Sequence, residues 1–298
     1  MKYHYHCPEN KKIRVIINSD AKNEADDQFA IVHALLTQKF IVKGIIGAHF
    51  GNFHSVNSML DSYEECCKIV DIMESDVKVY KGAEKAVVSP TEYEYSEGAE
   101  LIVHEALSDE TTPLYVLCMG PITDIACALL EHPEIEGRVT VIWNGGEKYP
   151  DGGMEFNAGN DITAANIVME SNLELWQIPA DCVTEVITGI AELEYKVRPC
   201  GRIGEYLFRQ LAEFNDSPNA HWTSGESWGL GDSCTVGVLL HDNKYNYEMR
   251  EAPRFDQKLT YVHDTGYRKI RVYRRIDSRM ILEDFFSKLA LNYRKVKE

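Results

Sequence analysis

Residues 13–36 read IRVIINSDAKNEADDQFAIVHALL, and three textures follow one another within them. IRVII (13–17) is an apolar, β-branched run that breaks off into polar residues, as a strand buried on both faces does. Residues 25–36 carry apolar side chains nearly all round, as a helix packed against a sheet does. Between them, residues 18–27 (NSDAKNEADD) crowd Asp20, Glu24, Asp26 and Asp27 into eight positions. Strand, acidic loop and helix in that order begin an alternation that the chain then repeats.

Residues 41–46 are the next strand candidate, and 56–70 place Val56, Met59, Leu60, Tyr63, Cys67 and Val70 at helical spacing. Residues 77–80, 114–118 and 139–143 read as further strands with helical segments between them. The expected fold class is α/β, an open, mostly parallel twisted sheet with helices on both faces. Beyond about Glu174 the pattern loosens into two helical stretches, 185–196 and 201–214, and a Gly/Ser/Trp-rich loop, 215–231. Residues 267–273 alternate, Ile270 and Val272 against Lys269 and Arg271, which predicts a half-buried strand at the sheet margin. Ile281, Phe285, Phe286 and Leu289 mark a closing amphipathic helix. No internal repeat, low-complexity tract or linker interrupts the pattern, so residues 1–298 are expected to form a single domain.

Composition sets the outer bounds. A chain of 298 residues with 44% hydrophobic and 26% charged residues is globular. Its net charge of −16 repels a backbone polyanion, which excludes nucleic acid as a partner. From Tyr267 onward the sign reverses, with ten Lys and Arg against four Asp and Glu. This basic tail reads as a solvated strand and helix. No stretch reaches the roughly 18 apolar residues that a membrane span needs, and MKYHYHCPENKK lacks a signal-peptide core. The eight cysteines include no CxxC pair, and several sit in apolar runs, so reduced thiols and a cytoplasmic location are expected.

The acidic loop carries the chemistry. In a parallel sheet, ligands bind beyond the carboxyl ends of the strands, and crowded carboxylates there repel one another unless a cation neutralises them. An all-oxygen shell suits a hard cation such as Ca²⁺ or Mg²⁺. Asp26 and Asp27 would also favour the positive end of the following helix, with Asn23 or Glu24 near its cap. The loop's company along the chain decides between these readings. Residues 18–27 resemble the Asp-x-Asp-Pro-Gly-x-Asp-Asp signature of the inosine–uridine-preferring nucleoside hydrolase family. Asp20 stands at the second Asp and Asp26-Asp27 at the closing pair. Residues 42–52 (VKGIIGAHFGN) resemble the family's second strand with its Gly-Asn ending, and 117–126 (LCMGPITDIA) its Gly-x-Leu-Thr-Asn segment. Asn144-Gly-Gly146 resembles its Met-Gly-Gly turn. Glu155-Phe-Asn157 and Asp161-Ile-Thr-Ala-Ala165 resemble its Glu-Phe-Asn and Asp-Pro-x-Ala-Ala pair. Asp232, opening an apolar helix, stands where the family has His-Asp. Six short matches in the right order, spanning residues 13–240, make a strong resemblance.

The resemblance implies a Ca²⁺ ion held by Asp20, Asp27, the main-chain carbonyl of Met119 and Asp232. It further implies a water of lowered pKa, with Asp20 as the general base that takes its proton. Asp26, Asn52, Glu155 and Asn157 would grip the hydroxyls of a ribosyl group as an oxocarbenium-like transition state develops. The implied activity is hydrolysis of the N-glycosidic bond of a nucleoside-like riboside, by a homo-oligomeric enzyme. Three departures stand out. The stretch between Asp20 and Asp26 is two residues longer and lacks Pro-Gly. Asn18 replaces the first Asp, removing one negative charge near the metal. Gly231 stands where many members carry the His that acts as leaving-group acid. His241-Asp242 lies about nine residues further on, and reads as a surface end of the helix. Trp222 and Trp228 would either stack on a purine leaving group or anchor their loop on the core. His221, His49 and His54 are candidate proton donors, although a lone His is more often structural. Two other readings stand beside hydrolysis of a riboside. A Mg²⁺ phosphohydrolase is disfavoured by Asn18 at the nucleophile's place and by the lack of a phosphate-cradling Gly loop. A non-catalytic ribose- or metal-binding protein on the same scaffold is consistent with the missing His, but such a protein has no need of a water-activating base.

Overall fold

The computed structural model describes residues 3–294; Met1, Lys2 and the last four residues of the basic tail lie outside the description. Its strands, in chain order, are β1 (Ile13–Ser19), β2 (Phe40–Gly47), β3 (Val79–Lys81), β4 (Leu114–Cys118), β5 (Val139–Asn144) and β6 (Glu174–Ile178). Then follow β7 (Ile187–Gly189), β8 (Ser227–Gly229), β9 (Tyr247–Glu251), β10 (Arg254–Phe255), β11 (Tyr261–Val262) and β12 (Lys269–Tyr273). β1 is buried at all seven residues because it has a parallel neighbour on each side, β2 and β4, and helices on both faces. Eight strands join in the order β3-β2-β1-β4-β5-β6-β12-β9. All pairs are parallel except β12–β9.

The order runs outward from β1 to β3 on one side and from β4 to β6 on the other. Chain direction across the sheet therefore reverses between β1 and β4. The carboxyl ends of the strands at such a reversal are the usual place for a ligand in an open parallel sheet. Two apolar layers hold the sheet. One packs β1 and β2 against the helices Asp27–Leu35, Gly201–Asn215, Ser233–Leu240 and Ser278–Tyr293. The other packs β4 and β5 against Glu97–Leu107, Thr123–Glu131 and Ile162–Glu170.

Four expectations need correction. Glu174–Ile178 is a central strand, although Gln177 interrupts its apolar run; the buried Gln177 amide donates to Gly145 O at 2.9 Å. β12 lies one strand inside the margin, because β9 pairs outside it. The sequence of β9, YEMRE, shows no apolar alternation because none of its residues is fully buried. Residues 185–196 divide into β7 and a helix that starts only at Ile190. The second helix, Ser58–Ile72, buries Met59, Ser62, Cys66 and Ile69, while Val56 precedes it and is 83% exposed. That face is set by Gly47: a Cβ there would lie 2.5 Å from Tyr63 N, so the helix rides directly on the β2 backbone. Among the described residues no helix is long and apolar enough to cross a membrane. All eight cysteines are unpaired. Asp242 at the end of Ser233–Leu240 pairs with Arg271 at the surface, 3.0 Å away.

Candidate functional site

Asp20 is the residue after β1, and Met119 the residue after β4, so both sit at the point where chain direction reverses. The two loops lie in close contact: a Cβ on Gly120 would come within 2.9 Å of Asp20 Cγ, and Met119 N donates to Asn18 O at 2.8 Å. Asp26 occupies the N-cap position of Asp27–Leu35, and Asp232 that of Ser233–Leu240. Neither side chain caps its own helix. Asp26 Oδ2 instead accepts from Asp232 N at 3.2 Å, so the two helix starts are tied together with their carboxylates facing each other. Ser19 Oγ donates to Asp27 Oδ1 at 2.5 Å, and Asn144, closing β5, donates through Nδ2 to Asp232 Oδ1 at 3.0 Å.

Asp20, Asp26, Asp27, Met119, Asn144 and Asp232 line one cavity of about 120 Å³, together with Glu24, Glu155, Phe156 and Asn157. Asp26, Asp27 and Asp232 each bring an oxygen within 4.8 Å of the others. Two ionised carboxylates at that separation repel by about 3 kcal/mol at an effective dielectric of 20. Three such pairs approach the roughly 5–15 kcal/mol that holds a whole domain together. The carboxyls accordingly resist ionisation. Burial and the neighbouring Asp27 and Asp26 hold Asp20 well above the usual carboxylate range. Burial, Asp26 and Asp27 do the same to Asp232. Burial pushes Asp26 up to about 6 against opposing backbone N–H bonds, and burial with Asp26 pushes Asp27 up to about 7.

The donor set fits a hard cation. Asp20 Oδ2, Asp26 Oδ1 and Asn144 Oδ1 are buried and have no hydrogen-bond partner among the described residues. Buried acceptors are ordinarily satisfied, and an oxygen-only shell of carboxylates is the chemistry that Ca²⁺ or Mg²⁺ takes. Among the predicted metal ligands, Asp27 and Asp232 fall in the tight carboxylate cluster and Asp26 joins them there; Asp20 stands outside that cluster, and it and Met119 line the same cavity. Asn157 Nδ2 donates to Met119 O at 2.8 Å and to Asn144 O at 2.9 Å, so it orients the carbonyl that the resemblance names as a ligand.

The remaining predicted residues divide. Glu155 lines the cavity, but its carboxylate accepts three backbone N–H bonds, from Gly146, Asn157 and Ala158, at 2.7–2.9 Å. Asn52 is exposed on the turn after Gly51 and does not line the cavity. His49 is locked, with Nε2 against Thr123 Oγ1 at 2.8 Å and Nδ1 accepting from Gly51 N. Burial pushes its pKa down to about 4. A side chain at Gly231 has no room, since a Cβ would sit 2.3 Å from Val183 Cγ1. Trp228, in β8, is buried edge-on to Phe214 at 5.8 Å and anchors its loop. Trp222 is 56% exposed and lines a second cavity of about 360 Å³ with Phe53, His54, Phe156, Phe214 and His221. The sequence reading missed Asn144, Asn23 and Phe156; Asn144, a polar residue ending the apolar run VTVIWN, is the one that carried a local signal.

The raised carboxyls give a stability prediction. In the folded, metal-free protein Asp27 holds its proton to about pH 7, whereas an unfolded Asp releases it near pH 3.9. Between those values the native state binds more protons, so its stability falls as pH rises. Asp27→Asn removes this liability while keeping an acceptor for Ser19. In chelator, the variant is expected to melt roughly 5 °C above wild type at pH 8 and level with it at pH 4. Added calcium should reverse the order at pH 8. Differential scanning fluorimetry at both pH values checks this; a pH-independent difference would contradict it.

Comparison with known proteins adds the wider context. A family profile described as "Inosine-uridine preferring nucleoside hydrolase" matches residues 15–282. The pyrimidine-specific ribonucleoside hydrolase RihA of Escherichia coli is 25% identical over 247 residues, 72% of this chain and 76% of that protein. RihA of Salmonella agona is 27% identical over 150 residues, spanning 47% of this chain and 46% of that protein. The purine-preferring ribonucleoside hydrolase from Gardnerella vaginalis has the same fold, with TM-score 0.75 and 19% identity over 94% of this chain and 99% of that one. The inosine-uridine preferring nucleoside hydrolase from Bacillus anthracis aligns with TM-score 0.65 and 17% identity over 94% and 99%.

Proposed function

The chain belongs to the inosine-uridine preferring nucleoside hydrolase family, hydrolases acting on N-glycosyl compounds, and on that premise we propose that it cleaves a ribonucleoside with calcium in the acidic cavity. The observation that carries this reading is the set of buried, unpartnered oxygens on Asp20, Asp26 and Asn144, converging where chain direction reverses. Asp27 and Asp232, with Asp20 and the Met119 carbonyl beside them, are the residues that would hold the ion. When bound, it supplies positive charge that offsets the carboxylates and acidifies water.

The remaining steps belong to the chain. Asp20, through its unpartnered Oδ2, takes a proton from the attacking water. The water oxygen bonds to the anomeric carbon as the bond from that carbon to the base nitrogen breaks, and the electron pair leaves with the base. Asp26 and Asn157 hold the sugar hydroxyls, and Asn157 also fixes the Met119 carbonyl. At about 120 Å³ the acidic cavity is smaller than the roughly 300–1,000 Å³ of typical small-molecule sites. A nucleoside therefore extends into the second cavity. There Phe53, Phe156 and Trp222 offer flat faces to a flat base.

Two measurements test the proposal. Calorimetric titration of chelated protein should show tight calcium binding that Asp27→Ala abolishes. A panel of ribonucleosides should release ribose with calcium and none with chelator. Binding of nucleosides without release would shift the reading to a ribose-binding protein, and phosphate release from phosphorylated ribosides would point to the phosphohydrolase. A cytoplasmic location suits the unpaired cysteines. The homo-oligomer rests on the family resemblance, and light scattering of the purified protein measures it.

A further inference from the structure

The stretch between Asp20 and Asp26 is two residues longer than the family signature, and it carries a carboxylate that the proposed reaction does not use. Glu24 is half-buried and lines both the acidic cavity and the aromatic one, a position that it shares only with Asn23 and Phe156 among the described residues. Its backbone carbonyl faces Gln28 Nε2 at 3.5 Å, and that amide also donates to Ala21 O at 2.5 Å, so the lengthened loop is held from behind. The Glu24 carboxylate itself has neither a hydrogen bond nor an ion pair among the described residues. Of the three residues at the seam, Phe156 offers a ring, and Asn23 offers an amide that can turn to match a donor or an acceptor. The Glu24 carboxyl presents acceptor oxygens that no donor among the described residues engages, so a donor on the ligand is the partner it lacks.

Resting on the reading of this site as a ribonucleoside hydrolase, we propose that Glu24 is the specificity-determining residue for the leaving group. Lying at the seam of the two cavities, its carboxylate accepts a hydrogen bond from an N–H of the nucleobase. The substrate class is then a ribonucleoside whose base carries an N–H donor, an oxo- or amino-substituted ring, in preference to an isosteric base without one. A half-buried carboxylate facing a base that lacks a donor is desolvated without compensation, and sites built this way reject such analogues strongly.

The test compares inosine, adenosine and guanosine with purine riboside, whose ring has no N–H, in wild type, Glu24→Gln and Glu24→Ala. The readout is a ratio, the best donor-bearing nucleoside over purine riboside, taken both as kcat/KM and as binding affinity. Glu24→Gln keeps the shape and one neutral acceptor, and Glu24→Ala removes the acceptor. The ratio is expected to fall about threefold or more in the first, and about tenfold or more in the second, as weakening and then loss of a hydrogen bond to a half-buried acceptor predicts. A ratio that stays constant, or equal losses on all four nucleosides, overturns the assignment and makes Glu24 a loop-shaping residue. If wild type binds the nucleosides but cleaves none, the hydrolase reading fails, and the affinity ratios still decide the role of Glu24. If wild type binds none of these purine ribosides, the assignment of Glu24 fails, while the hydrolase reading is decided separately by ribose release from the pyrimidine ribonucleosides uridine and cytidine.

Discussion

Asp20→Asn is expected to lower kcat/KM for the best ribonucleoside by about a thousandfold or more, while the protein remains folded. The amide is nearly isosteric with the carboxylate, so the close approach of Gly120 to the Asp20 side chain survives the change. What is lost is basicity. General-base assistance alone is worth about 10²–10⁴-fold, and weaker charge neutralisation at the adjoining cation site adds to it. Steady-state kinetics with saturating calcium, alongside a melting curve, separates the two losses. A KM and calcium affinity close to wild type with kcat collapsed assigns proton transfer to Asp20. A variant within tenfold of wild type would move the base elsewhere. Glu155 would be a poor replacement, because three backbone N–H groups already engage its carboxylate.

Asp20 was legible in the sequence because carboxylates crowd the stretch after an apolar strand, where parallel sheets bind ligands. The resemblance along the rest of the chain set that crowding apart from helix capping. Asp26, Asp27 and Asp232 were legible in the same way, each at the polar start of an otherwise apolar helix. The parallel core strands were legible because burial on both faces leaves uninterrupted apolar runs. β6 and β9 were not. Gln177 of β6 is buried because Gly145 O and Tyr261 Oη accept from its amide and Tyr149 Oη donates to its oxygen. The polar β9 keeps its place through β12, where Arg271 lies 3.6 Å from the Trp176 ring and 4.0 Å from that of Tyr247. Side-chain direction on irregular loops was the other blind spot. Gly51-Asn52 fits the family pattern by sequence, yet the turn leaves Asn52 in solvent. The aromatic cavity draws on residues from Asn23 to Trp222, and no local periodicity reports a meeting of loops that distant.

The clearest compensation concerns the residue that departs from the signature at position 18. Asn18 does not face the acidic cavity; its Nδ2 donates to Asp124 Oδ2 at 2.8 Å, and its Oδ1 accepts from Cys118 Sγ at 3.5 Å. Asp124 in turn stands where the resembled segment has Asn. These two positions read Asn and Asp where the resembled patterns read Asp and Asn, so together they carry one carboxylate in either arrangement. Asn18 by itself does not lower the number of carboxylates beside the acidic cavity. Asn18→Asp alone would set two buried carboxylates against each other and remove the donor from Asp124. It is expected to cost about 3–5 kcal/mol, a fall of roughly 6–15 °C in melting temperature. Asp124→Asn on that background restores a donor–acceptor pair. The oxygen of the introduced amide can still accept from Ala83 N and Ser96 Oγ, which now bond to Asp124 Oδ1 at 2.8 and 2.6 Å. The double variant should regain most of the loss, giving a coupling of about 2 kcal/mol or more in a double-mutant cycle, with calcium affinity near wild type. A double variant no more stable than Asn18→Asp would show that the two positions changed independently, and the loss of charge at position 18 would then need an account at the metal site itself.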